Sequence, residues 1–466
     1  LKHARLFGIE TEYGCLVAEA KNARASDPIV HRVKNHLFHV QKRGLIDLHH
    51  RAHDEPPGNG GFLLNGGRLY IDMGHIEYAS PECTRLSEIV AFDRAGDRLL
   101  HQCLAEMNLQ EDASFIKNNI DYETGATFGS HENYLVSRDF PYTQDGLGRL
   151  VPFLVTRQIY SGTGRLGANF VPDGYILLGE AEFPKIPFQI SQRSDHIVSD
   201  FYQWVQFNRA IINTRDEPLA DPNRYRRIHL LMGDSNLSEF ATALKIGTTA
   251  LVLDLIQEGL APDLALHSPV DALKHISRDP TRQWEIYLED GTPISALEIQ
   301  RRYLEAAKKH FSDFDEDTNW TLKAWEETLS DLAGNRENLV GKIDWVSKLW
   351  LYENFMKEEG LEWDDPWLKS LDIEYHNINP DKGLYFGMEN EGQVHRRTTS
   401  DSIDSAMAAP PVETRAAGRA LLIRKLVKNP APYIINWTSV YIEGQDLPMH
   451  DPFQTYLKEA KQFFKG

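Results

Sequence analysis

At 466 residues the chain exceeds one simple domain, and a composition of 41% hydrophobic, 25% charged and 10% aromatic residues excludes wholesale disorder and collagen-like repeats. Fifty Lys and Arg against 68 Asp and Glu give a formal charge of −18, which argues against indiscriminate binding to nucleic acid or an anionic membrane. The most apolar long stretch, 242–256, carries Lys245 and Asp254 and is too short to span a bilayer.

The opening residues run straight into a strand-like pattern without an apolar signal core, so a cytoplasmic protein is expected. Period-two patterns predict strands over 5–13, 68–73, 151–159 and 228–232. Residues 47–61, with two prolines and three glycines, read as a long mobile loop whose His49, His50 and His53 are solvent-exposed rather than zinc ligands. Helical periodicity covers 236–258, 295–311 behind a Ser295/Glu298 capping box, and 344–359, where Trp345, Leu349, Tyr352 and Met356 face a core and Gly360 stops the helix. Beyond Pro410 and Pro411 come a helix over 413–427 and a strand over 433–442. The fold class is therefore α+β, with a large domain over 1–400 and a small one over 401–466. Cys15, Cys83 and Cys103 have neither disulfide nor thiolate-metal spacing.

Chemistry concentrates in a few segments. In a strand, Glu10 and Glu12 share one face about 7 Å apart, a spacing that lets two carboxylates hold Mg²⁺ against phosphates; alone, the pair is more often a solvated strand face. Arg68, Tyr70 and Asp72 share a face in the same way, with Glu77 just beyond, although Arg68 and Asp72 read equally as a surface ion pair. If the two acidic strands are neighbours, their charges repel unless a cation is present. His131, Arg215, Arg227 and His229 add groups suited to phosphate recognition and metal ligation. The run from Gly162 to Gly167 matches GxGxxG, but no helix follows and the dinucleotide reading fails.

The motifs GIETEYG, NGGRLYID, IEYASPEC, GSHENYL, INTRDEP, RYRRIHLLMGDSN and PPVETRA together resemble the Pup ligase and Pup deamidase/depupylase family, across nearly the whole chain. The resemblance implies a glutamine-synthetase-like large domain with a curved antiparallel sheet, and a C-terminal domain that closes the nucleotide pocket. It implies Glu10, Tyr70 and Glu77 as metal ligands, joined by Glu12, His131 and His229, and Asp72 as the catalytic acid. Arg68, Ser80, Arg215, Arg227 and Trp437 would bind the cofactor, ATP or ADP plus phosphate with Mg²⁺. The partner implied is Pup or a Pup-like modifier and its conjugates, for which Arg193, Arg209, Arg224, Arg226 and Arg227 would form a locally positive groove. The oligomeric state is open, with a monomer as the working expectation.

Within the family, the Asp72 to Glu77 spacing looks like the depupylase pattern, since ligases carry one extra residue there. The segments from Ser161 to Gly167, Ser277 to Pro280 and Lys382 to Tyr385 point the same way. The 18–60 link is longer than in ligases and shorter than in typical depupylases; it is expected to serve modifier cleavage and to tolerate shortening. Ile76 replaces the usual proline, and 168–189 looks like an insertion. Hydrolysis at the modifier's C-terminal Glu or Gln is the expected reaction, with ATP-dependent ligation to lysine as the alternative. A nucleotide-binding adaptor is the non-enzymatic rival.

Overall fold

The computed structural model describes residues 3–18, 26–51, 55–122, 124–167, 186–203 and 209–463. Its centre is a sheet of ten strands: β1 (Phe7–Val17), β2 (Gly44–Ile46), β3 (Gly60–Leu63), β4 (Arg68–Asp72), β5 (His75–Ala79), β6 (Ala113–Ile116), β7 (Ser130–Ser137), β10 (Ser199–Tyr202), β11 (Ala210–Asn213) and β12 (Tyr225–Leu230). Strands β8 (Arg165–Leu166) and β9 (Phe188–Gln189) pair apart from it, as do β13 (Glu285–Tyr287) and β14 (Pro293–Ser295). The order is β10-β11-β12-β7-β1-β5-β4-β3-β2, with β6 also on β1. Only β10 and β11 run parallel, so the α+β expectation is met by a nearly antiparallel sheet.

Alternation along β1 sets the two faces. Phe7, Ile9, Thr11 and Tyr13 are buried on one side, and Gly8, Glu10 and Glu12 are half-buried on the other. The buried side shares one core with the helices Leu86–Glu106, Val151–Ser161 and Glu239–Gln257. The last of these is enclosed almost all round, which explains its apolar sequence; among the described residues no helix is long and apolar enough to cross a membrane.

Two predictions are corrected. The 151–159 strand is a helix, Val151–Ser161, with Pro152 in its first turn; every residue is buried, so apolarity on all sides hides the 3.6-residue period. The 18–60 link is not a solvated loop either: it holds the helix Asp27–Asn35, a π-helical turn His36–Val40, and β2. Ile29, Val30, Val33, Leu37 and Phe38 join the main core, so excising the link would open that core. The polar stretch after β2 is anchored by Asp47, which is 3% exposed and accepts from Arg51 Nε at 2.7 Å and Arg68 Nη2 at 3.0 Å. His50 is exposed, His49 is half-buried, and His53 and 168–185 of the expected insertion lie outside the described residues.

The remaining helices fall close to prediction. Ser295 accepts from Glu298 N at 3.1 Å, but the Glu298 carboxylate takes Arg302 Nε instead of closing a capping box. Gly360 caps its helix at φ +68°, a left-handed conformation that suits glycine. The 433–442 strand folds as β15 (Tyr433–Ile435) and β16 (Ser439–Ile442), with β17 (Gln445–Pro448) beside it. These strands and the helix Ala416–Lys428 bury a second cluster that includes Phe62 of β3, whereas Ile403, Ala406 and Met407 of the preceding helix belong to the main core.

Candidate active site

The polar face of the sheet gathers the charged motifs by register. Glu10 stands opposite His131 of β7 and Ala79 of β5, Glu12 opposite Glu77, Glu77 opposite Tyr70, and Asp72 opposite His75. Directly opposed residues share a face, so two sequence-distant acidic motifs become one surface. One carboxylate oxygen from each of Glu12, Asp72 and Glu77 lies within 4.8 Å of the others, and Glu10, His131 and His229 form a second such group.

The groups differ electrostatically. Burial, then repulsion from Glu10, Glu12 and Asp72, pushes Glu77 well above the usual carboxylate range, against the bond from Tyr70. Burial also acts to raise Glu10, but the His131 hydrogen bond and the charges of His229, His131 and Arg227 outweigh it and hold Glu10 below that range. His131 Nδ1 lies 3.2 Å from Glu10 Oε2, and Asn133 Nδ2 donates to Glu10 Oε1 at 3.1 Å. His229 Nε2 is buried without a hydrogen-bond partner, 3.8 Å from Glu10 Oε2. The face therefore grades from a flank that bears Arg227, His131 and His229 at β7 and β12 to an acid-rich flank at β4 and β5.

This donor set fits a divalent cation. Three converging carboxylates are costly without positive charge, and hard oxygen ligands suit Mg²⁺. A phosphate oxygen or metal-bound water would supply the partner that His229 Nε2 lacks.

Beside Glu10 opens a narrow cleft of about 90 Å³. Its walls include Gly8, Ser80, Glu82, Arg227, Arg415 and Trp437. Ser80 Oγ accepts from Ile9 N at 3.0 Å, and Arg227 donates to Asn133 Oδ1 at 2.9 Å and to the Glu217 carbonyl at 2.8 Å. Two residues expected to bind the cofactor do not line this cleft: Arg68 is paired with Asp47 and Glu55 over the Tyr70 ring, and Arg215 is about half exposed beside Glu217. Nor do the proposed groove arginines make one surface. Arg193 is buried and donates to backbone carbonyls, while Arg224 and Arg226 are tied to Asp451 and Asp216. The glycine-rich run belongs to a knot around Asp234, which accepts from the backbone NH groups of Thr163, Gln192 and Arg193.

Sequence reasoning passed over Asn133 and Glu82. Asn133 stands two residues from His131 on the same strand face, a detectable signal. Glu82 accepts from Arg415 Nε and Arg419 Nη2, each at 2.6 Å; Arg419 also donates to the Trp437 carbonyl at 3.2 Å and lies 4.8 Å from its ring. Nothing local in the sequence announces that partnership across more than 330 residues.

A nearly antiparallel sheet bearing carboxylates and histidines beside a cleft lined by arginines and glutamates has the donor set that metal- and phosphate-dependent enzymes use. Residues 5–441 match the Pup-ligase protein family, and the chain belongs to that family. It is 37% identical to a depupylase of Acidothermus cellulolyticus, covering 97% of this chain and 92% of that protein. It is 36% identical to a Pup–protein ligase of Acidimicrobium ferrooxidans (96% of each) and 39% identical to the Pup deamidase/depupylase of Mycobacterium tuberculosis (86% of this chain, 78% of that one). Among solved structures, the complex of Pup with its ligase PafA superposes with a TM-score of 0.84 at 32% identity, covering 99% of this chain and 91% of that one. PafA in complex with ADP gives 0.78 at 33% identity, covering 98% and 96%. The family thus holds enzymes named for opposite directions, and both stand equally near.

Proposed function

We propose that this chain is a depupylase/deamidase, hydrolysing the isopeptide or side-chain amide bond at the C-terminal Glu or Gln of Pup or a Pup-like modifier. The observation that carries this reading is the turn between β4 and β5. Only Met73 and Gly74 connect Asp72 to His75, both at positive φ (45° and 96°), a tight two-residue hairpin in the depupylase spacing. Glu10, Glu12, Tyr70, Glu77, His131 and His229 would hold Mg²⁺, and Ser80, Arg227 and Trp437 would line the nucleotide, with the 401–466 segment closing its pocket. Held there, Mg²⁺ would supply electrostatic stabilisation of charge that develops in the reaction. Asp72 serves as nucleophile or as general base toward water, while Asn133, itself held by Arg227, holds Glu10 in place.

The second reading is ATP-dependent ligation of the modifier's glutamate to lysine, favoured by the fit to PafA. One assay decides. The protein is incubated with Mg²⁺ and ATP, in one arm with purified conjugate and in the other with free modifier and target. Release of modifier without matching ATP consumption supports hydrolysis; conjugate formation with ATP turnover overturns it.

A further inference from the structure

A second cavity opens at the opposite end of β1 from the nucleotide cleft. It holds about 450 Å³, enough for an extended side chain. Its walls include Gly74, His75, Asp121, Tyr122 and Phe128. The catalytic face lies between the two openings. Glu10 lines the first, His75 lines the second, and Glu12, Asp72 and Glu77 stand between them by register, with His75 Nδ1 3.8 Å from Glu12 Oε2.

The two openings differ in composition. The first presents Arg227 and Arg415 beside Glu10 and Glu82, whereas none of the described residues lining the second cavity is Lys or Arg, and Asp121 is among them. Two polar atoms on its walls, Tyr122 Oη and His75 Nδ1, are buried and have no hydrogen-bond partner. Phe128 packs against His75 with ring centroids 4.5 Å apart and supplies an apolar surface. An apolar wall with an acid and an unpartnered oxygen suits a long aliphatic stem that ends in a nitrogen.

We propose that this cavity seats the lysyl side chain on the amine side of the isopeptide bond, with Asp121 and Tyr122 as its specificity-determining residues. The assignment rests on the reading of the site given above. The nucleotide is assigned to the cleft at one end of the catalytic face; at the other end the acid, the unpartnered Tyr122 hydroxyl and the Phe128 ring suit a lysyl stem and the amine that leaves it. The assignment is independent of direction, because the same amine departs in hydrolysis and enters in ligation.

The test separates the amine from the rest of the reaction. Asp121→Asn keeps an acceptor for the Thr124 hydroxyl, which bonds Asp121 Oδ2 at 2.6 Å, and Tyr122→Phe keeps the ring. Each variant and the wild type are assayed on modifier joined to a lysine, and on the same modifier ending in a glutamine side-chain amide, from which ammonia leaves. Asp121→Asn is expected to lower kcat/KM on the lysyl conjugate about tenfold through KM, and Tyr122→Phe by a smaller factor. Amide hydrolysis and ATP affinity should stay within about twofold. Equal losses on both substrates, or none, would overturn the amine assignment while leaving hydrolysis in place. A wild type that cleaves neither substrate, yet conjugates, moves the readout to KM for acetyl-lysine amide as acceptor, where an unchanged value in both variants overturns the assignment. A wild type inert in both directions overturns the underlying reading and the assignment with it.

Discussion

Tyr70 donates its hydroxyl to Glu77 Oε1 at 2.6 Å from the directly opposed position on the neighbouring strand. The bond fixes one carboxylate of the acid-rich flank, leaving Asp72 two residues along the same face to act. Asp72→Asn should therefore keep the fold and nucleotide affinity while lowering turnover by about 10²-fold or more, since the amide keeps the shape and loses basicity and nucleophilicity. Single-turnover assays beside calorimetric ATP titration check this; near-normal turnover would remove Asp72 from the chemistry.

Gly129 lets two ligand candidates approach the backbone. A Cβ there would overlap Glu12 Oε1 and lie 2.7 Å from His131 Nε2, both side-chain atoms that can swing away. Gly129→Ala should therefore change thermal stability little and weaken Mg²⁺-dependent ATP binding several-fold. A magnesium titration of ATP affinity reads the effect, and an unchanged midpoint would separate Glu12 and His131 from the metal. Glu10→Ala should act in the same direction and more strongly.

Asp47 joins Arg51 and Arg68 beneath the polar stretch that follows β2. Removing its charge leaves two largely buried guanidinium groups short of a carboxylate, so Asp47→Asn should cost about 3 kcal/mol. Because Arg68 does not line the cleft proposed for the nucleotide, ATP affinity should hold. Urea unfolding and calorimetry test both halves; a large loss of affinity would return Arg68 to the cofactor site.

Burial acts to raise Glu82, but Arg419 and Arg415 outweigh it and take its pKa from 4.5 to about 2. A carboxylate depressed in the folded state adds stability above its unfolded value and loses it as pH falls through the folded one, here between about 4.5 and 2. The stability gap between wild type and Glu82→Gln should be largest above pH 4.5, on the order of 3 kcal/mol, and close toward pH 2. Chemical denaturation across that range measures it, and a gap independent of pH would deny the linkage.

Much of the site was legible because strand alternation is a local rule. The two-residue period put Glu10 with Glu12 and Tyr70 with Asp72, and the sheet needed only to lay those strands side by side. The ion pairs of Arg68 were not legible, because its partners, Asp47 and Glu55, sit in an irregular segment with no period to betray them. The 151–159 error has the opposite cause: Phe153, Leu154, Val155 and Ile159 bury every side of a helix, so apolarity carried no phase. The Glu82 clamp was invisible for want of any local pattern linking it to Arg415 and Arg419.

Phe62 lies on the catalytic sheet yet packs in the C-terminal cluster, edge-on to Trp437 at 4.9 Å and beneath the guanidinium groups of Arg51, Arg68 and Arg419. One ring thus belongs to both parts of the molecule. A chain cut near residue 400 would take Trp437 and Arg419 from that ring and both arginines from Glu82, so the two parts should melt as one cooperative unit.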